Sequence, residues 1–472
     1  MSPAAQAVLA SWSFPPFLTA LNVLTALLYI RGWIPLHEAM PGRFTPWRLA
    51  CFLSGVAILQ IALASPIDTF DSFLLTSHML QHMLLVMVIP PLLLLGDPAI
   101  PLLKGLPNWI SRDVLGPFLI SPALARLGHQ LTHPVVGLSL MTVAILGWHV
   151  PALYELALRS PGWHEVEHSC FLVTSLLFWW PVIQPWPSRP HWSRWAIILY
   201  LLLGEFVNAV PSAFLTFSER VLYRSYLAVP RLAGISAQND QVAAGALMWV
   251  IGSLAFLIPA ALLTVGLLSP EPAASSPESK PARLDFRVRS YALLLTFALP
   301  LAIAIYGWLT PQAVDTDGAV VRLQGAAGPF LASVFTSPTL HAGASDVSVL
   351  VQDRDSGKII LDAVVDLDAK PTAGTVAATH AHPERQQSTN KLLEAATLDL
   401  ESPGPWELDV SIHRGSDEGS LSTHLNVETS DAGNTAVWPY LLLGGIVIAL
   451  VALHHVLRAN AIQRSERFAQ LS

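Results

Sequence analysis

Residues 77–87 read Ser-His-Met-Leu-Gln-His-Met-Leu-Leu-Val-Met and begin an otherwise apolar segment with the composition of a membrane helix. Residues four positions apart share one face of a helix, so His78 and His82 can bind one ion between them. The methionines of this stretch, Met83 among them, form a second stripe beside the pair. Imidazole and thioether together are a soft ligand set that suits copper rather than magnesium or calcium. The pair has two interpretations, a metal site or ordinary hydrogen-bonded packing. The first is supported because ionisable groups in membrane helices are costly and therefore mostly functional.

The composition is that of an integral membrane protein. Of the 472 residues, 53% are hydrophobic and 12% are charged, and the mean hydropathy is +0.50. Cys51 and Cys170 both lie in apolar segments and form no thiolate metal motif, so any metal must be held by His, Met or carboxylate side chains. No glycine-rich phosphate loop follows a strand, and nothing indicates nucleic-acid binding or hydrolytic catalysis.

Nine apolar runs are long enough to cross a bilayer, which takes about 20 helical residues. They lie near residues 14–34, 48–65, 73–95, 134–150, 164–183, 195–216, 241–268, 289–309 and 437–457. We therefore expect a mainly α-helical, polytopic transmembrane bundle of seven spans in residues 1–268, and two further spans that flank a polar insert. No Lys or Arg precedes the first run and no small-residue cleavage site follows it, so we interpret it as a retained span rather than a signal peptide.

The rest of the chain divides into further segments, and the basic residues indicate their orientation. We expect a flexible linker at residues 269–288, an eighth transmembrane helix at 289–310, a folded domain at 311–436, a ninth helix at 437–457 and a tail at 458–472. Lys and Arg concentrate in cytoplasmic loops. An N-terminus outside places fifteen Lys or Arg residues inside and four in the short outer loops. This orientation predicts that residues 311–436 are extracytoplasmic and that the tail is cytoplasmic.

Five histidines converge on the outer edge of the membrane domain in this topology. They are His78, His82, His149, His164 and His168. Their convergence favours a shared site, for which Asp240, Glu205 and Asn208 are candidate hydrogen-bond partners. The remaining histidines near the membrane are expected to be solvated or interfacial, namely His37, His129, His133 and His191 in inner loops and His454 and His455 at the end of the last span.

From about residue 14 to residue 268 the chain resembles the CtaG-like family of multi-spanning cytochrome c oxidase assembly factors. The resemblance rests on His-Met-xx-His-Met at 78–83, Trp-His-Val-Pro at 148–151, Trp-His-xxx-His at 163–168 and Asp-Gln at 240–241. It implies a helper rather than an enzyme, which matures a haem-copper oxidase in the inner (plasma) membrane of a bacterial cell by supplying copper on the outer side. The implied partners are cytochrome c oxidase subunits, a periplasmic copper donor and membrane lipid.

The residues agree with that implication, because copper from the periplasm would arrive at an outward-facing His and Met cluster. The expected metal ligands are His78, His82, His164 and His168, with His149 and Met83 next. A delivery site must also release its ion, and exchangeable Met ligands beside His would permit release, whereas a closed site of four thiolates would not.

The segment 311–436 has the pattern of a different kind of domain. Apolar and polar residues alternate at 346–352, 359–365, 406–412 and 421–427, with turn signals between them. This pattern predicts a small β-sandwich of the immunoglobulin-like type, similar to extracytoplasmic domains of the YtkA and FixH kind. His380 and His382 form a His-x-His motif that we interpret as a solvated loop, with a second copper contact as the alternative.

Three other functions can be compared with this interpretation. A retinal-binding receptor is excluded, because no lysine lies within a predicted span. A membrane haem protein stays open, because paired histidines can ligate haem iron, and it predicts a Soret band. A copper transporter also stays open, although it favours metal-binding residues that continue through the bilayer, where Glu205 is the clearest acidic residue.

Overall fold

The computed structural model describes residues 3–13, 15–119, 121–188, 192–232, 235–268, 320–337, 339–372 and 377–429. The predicted linker, the eighth and ninth transmembrane helices and the tail lie outside these residues, as do His191, His454 and His455. Residues 107–129 fall in a second, small compact unit that contains a π-helical turn and short helical segments. The other described residues belong to one larger unit.

Fifteen α-helices and two π-helical turns make up the described helical part of the chain. In chain order they are α1 (Pro3–Leu9), α2 (Pro16–Ala39), α3 (Pro46–Ala64), α4 (Pro66–Thr69), α5 (Leu75–Met83), a first π turn (Leu84–Val88), α6 (Ile89–Leu95), α7 (Ala99–Gly105), a second π turn (Ile110–Leu115), α8 (Gly116–Leu119), α9 (Pro122–Leu131), α10 (Pro134–Trp148), α11 (Pro151–Arg159), α12 (Pro161–Ile183), α13 (Arg194–Phe217), α14 (Ser225–Ala228) and α15 (Ala237–Leu268).

The seven spans predicted for residues 1–268 are all present as apolar helical segments. Six helices of the described part are long and apolar enough to cross a membrane, and α10 with α11 forms a seventh candidate that is bent by 76°. The chain is therefore a multi-pass membrane protein. The fourth span, predicted near 134–150, therefore continues into a second helix after a break at residues 149 and 150. Val150 precedes Pro151 and adopts an extended conformation, because the proline ring disfavours helical geometry in the residue before it.

The third span, Leu75–Leu95, lies at the centre of the bundle. Of the most apolar stretch of this span, 94% is buried inside the structure. The corresponding share is 17–44% for the other five spans that are formed without a sharp bend. Helix α15 packs against α5, and both α3 and α12 pack against α6. A helix enclosed in this way can be apolar on every side, which explains the unbroken apolar run after His82.

The first π turn interrupts this central span one residue after Met83. Pro90 and Pro91 follow it and have no backbone N–H, so they cannot donate to the carbonyls one turn earlier. The indole Nε1–H of Trp179 donates to the Val86 carbonyl instead, at 3.0 Å. The turn therefore joins α12 to the central span immediately C-terminal to the helix that carries His78 and His82. π turns of this kind occur frequently at functional sites.

The C-terminal part of the larger unit is a β-sandwich, as the sequence predicts. Its strands are β1 (Val320–Ala327), β2 (Phe330–Thr336), β3 (Leu340–His341), β4 (Gly343–Asp353), β5 (Val364–Pro371), β6 (Thr379–Ala381), β7 (Glu394–Leu400), β8 (Gly404–Arg414) and β9 (Asp417–Glu428). One sheet has the order β1-β2-β4-β7 and the other the order β3-β9-β8-β5-β6. The inward-facing residues of the two sheets, Trp406 among them, form one buried core.

Three of the four predicted strands match β4, β8 and β9, and the prediction for 359–365 is wrong. Ile359 makes one isolated bridge to Gln352, and β5 begins only at Val364. Ile360 is buried in the sandwich core whereas Ile359 and Leu361 contact a different apolar cluster. The segment is apolar because it is covered on both sides while it crosses between the sheets.

The β-sandwich packs against the end of the bundle that carries His78, His149 and His164, which we name the histidine end. An apolar cluster joins bundle residues such as Phe73 to sandwich residues such as Phe335, whose rings are 5.5 Å apart. The backbone N–H of Lys391 donates to Ser11 Oγ at 3.1 Å. The amide of Gln352 donates to the Arg231 carbonyl at 3.2 Å. The sandwich and the histidines therefore share one end of the bundle.

Candidate metal centre

The two histidine pairs face each other across α5 and α12. Within each pair the ring centroids are close, 4.3 Å apart for His78 and His82 and 4.1 Å apart for His164 and His168. Across the helices, His78 lies 5.2 Å from His164, and His82 lies 5.5 Å from His168. The structure thus brings the four residues with helical spacing into one cluster of rings.

Glu167 also lies inside this cluster, between the two histidines of α5 and those of its own helix. Its two carboxylate oxygens are 3.9 Å from His78 Nε2 and 3.8 Å from His82 Nε2. One ligand atom from each of these three residues can be chosen so that all lie within 4.8 Å of one another. An acidic residue inside a membrane helix is itself a functional signal. Glu167 is also three residues after His164 and next to His168, so it shares their helix face.

The donor atoms of the cluster lack ordinary partners. Both ring nitrogens of His78 and of His82, Nε2 of His168 and both oxygens of Glu167 are buried without a hydrogen bond. His78 and Glu167 are 0% exposed and His82 is 1% exposed. Buried polar atoms in proteins are nearly always paired, and an unpaired buried carboxylate is especially costly. A bound cation would satisfy the nitrogens and the carboxylate together, so these residues fit a metal ion.

A second group of donors lies beside the first and shares His78 with it. Asp71, which precedes α5, has a carboxylate oxygen 3.3 Å from His164 Nε2. Asp71, His78 and His164 can also offer three ligand atoms within 4.8 Å of one another. The Asp71 carbonyl accepts a hydrogen bond from Tyr226 Oη at 2.7 Å. Asp71 lies in a loop before the third span, where no helical spacing connects it to the histidines.

Tyrosine side chains cover this second group. The hydroxyls of Tyr154 and Tyr226 are hydrogen-bonded at 2.9 Å, and the Tyr154 ring lies 5.0 Å from the His78 ring. Tyr154 also stacks on Tyr223 at 3.8 Å. All three rings are buried, so they separate the imidazoles from the surroundings on this side.

His149 and Met83 have surroundings that differ from those of the four clustered rings. His149 follows the last residue of α10, and its Nδ1 is 2.7 Å from the Ile145 carbonyl. Its Nε2 is buried without a hydrogen bond. Met83 is buried in the bundle core at 3% exposure. Metal ligation by either residue stays a prediction.

The polar residues that the sequence suggested as histidine partners have hydrogen bonds to other groups. Asp240 Oδ1 accepts the backbone N–H of Thr76 at 3.2 Å, at the start of α5. Glu205 accepts a hydrogen bond from Ser253 at 2.6 Å. Asn208 donates to the Met248 carbonyl at 3.3 Å. Asp240 therefore acts on the cluster indirectly, through the helix that carries His78 and His82.

Histidines outside the cluster have local structural contacts. His37 is in the last turn of α2 rather than in a loop, and its Nδ1 is 2.7 Å from the Phe44 carbonyl. His133 precedes α10, where its ring accepts the Val135 backbone N–H at 3.3 Å. His129 lies in α9.

Comparison with known proteins gives curated relatives in mycobacteria. An uncharacterized protein of Mycobacterium bovis is 28% identical over 297 residues, which cover 60% of this chain and 43% of the relative, and one of Mycobacterium tuberculosis gives the same values. An uncharacterized protein of Mycobacterium leprae is 28% identical over 258 residues, covering 52% of this chain and 38% of the relative. The chain thus spans less than half the length of these relatives.

Among solved structures, the PKD domain of the human VPS10 domain-containing receptor SorCS2 is 17% identical, with 26% of this chain and 94% of that chain covered. Its TM-score of 0.14 is too low to carry an argument. The family model described as "Cytochrome c oxidase caa3 assembly factor" matches residues 27–270, a little over half of the chain and all of the histidine cluster. This chain therefore belongs to the cytochrome c oxidase caa3 assembly factor family.

Proposed function

We propose that this protein is a non-catalytic assembly factor that binds copper at the outer face of the bacterial plasma membrane and delivers it to a haem-copper cytochrome c oxidase. Membership of the caa3 assembly factor family supports the assembly role. The observation that carries the copper is the buried group of His78, His82 and Glu167, whose donor atoms have no hydrogen bonds.

The chemistry of these donors favours a transition metal. Neutral imidazoles suit copper, zinc, iron and nickel, whereas magnesium and calcium take sets made of oxygen ligands. In the series of divalent metals, copper binds nitrogen and oxygen donors most tightly. The carboxylate of Glu167 contributes a negative charge that offsets the charge of the ion in the apolar interior.

Release requires a path from the buried donors to the surface, and the second group supplies it. The side chains of His164 and Asp71 are 21% and 10% exposed, whereas that of His78 is 0% exposed. Because His78 belongs to both groups, an ion can pass from His82 and Glu167 to His164 and Asp71 by exchanging ligands one at a time. A partner at the histidine end would then receive it.

Two alternative functions receive less support from the geometry. Two histidines that ligate one haem iron lie on opposite faces of the haem plane, so their rings must be separated by the haem. The rings of His78 and His82 instead contact each other directly, with centroids 4.3 Å apart. A transporter would need donors that continue across the bundle. In the described part of the bundle, both groups of three metal-ligating side chains lie at the histidine end. Deeper in α13, Glu205 is hydrogen-bonded to Ser253.

The test compares the metal and haem content of detergent-purified wild-type protein with that of the double variant His78→Ala, His82→Ala. His133→Ala is the matched control. His133 precedes α10, whereas His149 follows it at the histidine end, so His133 lies away from the clustered histidines. We expect the double variant to hold one copper ion fewer per chain than the wild type and the control, and we expect oxidase maturation to be impaired in cells that carry it. A Soret band lost in the double variant would replace copper delivery with haem binding. Normal oxidase maturation by the double variant would overturn the proposal.

A further inference from the structure

The β-sandwich carries its own group of histidines and carboxylates, on the sheet edge formed by β5 and β6. Antiparallel pairing sets Asp368 directly opposite His380. His382 contacts the carboxylate of Asp366, two residues before Asp368. Residues two positions apart in a strand lie on the same face of the sheet, so Asp366 and Asp368 lie on one face, where they contact His382 and His380. His380 lies on strand β6, which corrects the expectation of a loop.

The carboxylates orient the two imidazole rings. Asp368 Oδ1 is 2.9 Å from His380 Nδ1, and Asp366 contacts His382 through Nδ1 as well. A carboxylate accepts a hydrogen bond, so His380 Nδ1 carries the proton and His380 Nε2 carries a free electron pair. The same tautomer of His382, with its Nδ1–H beside Asp366, would leave its Nε2 a free electron pair as well. Histidines that bind metals are oriented by carboxylates in the same way.

The two Nε2 atoms face each other at 3.2 Å. Two electron pairs at this distance repel unless a proton or a metal ion lies between them. Bonds of about 2.0–2.1 Å from a metal ion to two imidazoles, at a roughly tetrahedral angle, would separate their nitrogens by about 3.3 Å. Asp366, His380 and His382 can also supply three ligand atoms within 4.8 Å of one another.

We propose that the Nε2 atoms of His380 and His382 form a second metal site, which binds a divalent transition-metal ion and binds Cu²⁺ most tightly of the series, with Asp366 as the positioning residue for His382. Asp368 is the positioning residue for His380. The site differs from the buried cluster in access, because the side chains of His380 and His382 are 49% and 68% exposed. It therefore exchanges ions with the solution directly. The proposal needs no residue of the bundle, so it is independent of the proposed function.

The test uses the full chain in detergent, purified without a polyhistidine tag, in the His78→Ala, His82→Ala background so that the buried cluster contributes no binding. Cu²⁺ and Zn²⁺ are titrated by calorimetry, and the Cu²⁺ form is examined by electron paramagnetic resonance. We expect one bound Cu²⁺ with nitrogen coupling, and weaker binding of Zn²⁺. Adding His380→Ala and His382→Ala should lower the Cu²⁺ affinity by about ten-fold or more and remove the nitrogen coupling.

The matched control is His413→Ala, because His413 is an exposed histidine of the same sheet, 3.5 Å from Glu418. It has a carboxylate neighbour like His380, and its removal should leave the Cu²⁺ affinity unchanged. Asp368→Asn, which keeps the side-chain size, should weaken binding by a smaller factor. Equal affinity with and without His380 and His382, or an equal loss in the His413 control, would overturn the site. If the background variant does not fold, the same substitutions in the wild-type chain should remove one of the bound Cu²⁺ ions.

Discussion

The carboxylate of Asp240, on α15, accepts the backbone N–H of Leu75 at 2.6 Å. Leu75 is the first residue of α5, where backbone N–H groups have no partner within the helix. The carboxylate thus caps a helix that is distant in sequence, and its charge also favours the positive N-terminal end. His78 is three residues further on, so this contact fixes the start of the helix that carries the first histidine pair.

Replacing Asp240 should therefore loosen both the bundle and the cluster. For Asp240→Ala we expect a loss of about 1–3 kcal/mol of stability, because buried backbone donors lose their acceptor. Copper content should fall as well. Asp240→Asn keeps one acceptor oxygen and should lose less. Thermal unfolding in detergent and metal analysis measure the two effects, with Asn239→Ala, an exposed neighbour, as the control. Stability unchanged in Asp240→Ala would contradict the capping role.

Glu167→Gln separates metal binding from folding. The variant keeps the side-chain size and removes the charge that is buried beside His78 and His82. Without metal, we expect stability equal to or above that of the wild type, because an unpaired buried carboxylate is costly. With metal, we expect copper affinity to fall by about 10–100-fold.

The control for this variant is Glu165→Gln, on the same turn of α12 but exposed. It should match the wild type in both respects. A metal-free Glu167→Gln protein that is clearly less stable than the wild type would instead assign Glu167 a structural role, and unchanged copper affinity would remove it from the site.

How far the sequence could lead to this site depends on the kind of element involved. The spans were predictable because the bilayer fixes helix length, and the i, i+4 spacing placed His78 with His82 on one helix face. The sequence also contained the information for Glu167, because residues 164, 167 and 168 share a face. Asp71 was not predictable, since a loop has no periodicity and only the fold brings it to His164. In the sandwich, β9 was predictable because its polar and apolar residues alternate. The segment at Ile359, which passes from one sheet to the other, has a similar apolar composition and was therefore mistaken for a strand.

His164 should control exchange of the ion more than its retention. The residue is partly exposed and belongs to the group that shares His78 with the buried site. In His164→Ala, we expect copper still bound by the remaining donors, and several-fold slower transfer to an external chelator. Stopped-flow measurement with a coloured chelator gives the rate, and metal analysis gives the content. Faster loss of copper than from the wild type would mean that His164 retains the ion and would contradict the exchange path.

The indole of Trp179 should be required for the π turn of the central span. Its Nε1–H is 3.0 Å from the Val86 carbonyl, which Pro90 cannot serve. Trp179→Phe removes this donor from a buried position, and we expect a loss of about 1–3 kcal/mol, with further loss from the smaller ring. Trp180→Phe is the control, because this neighbouring indole is partly exposed and donates to Ser188 at the edge of the bundle. Thermal unfolding should therefore show a clearly lower midpoint for Trp179→Phe than for Trp180→Phe. Equal midpoints would mean that the π turn is stable without the indole, and that proline alone determines its geometry.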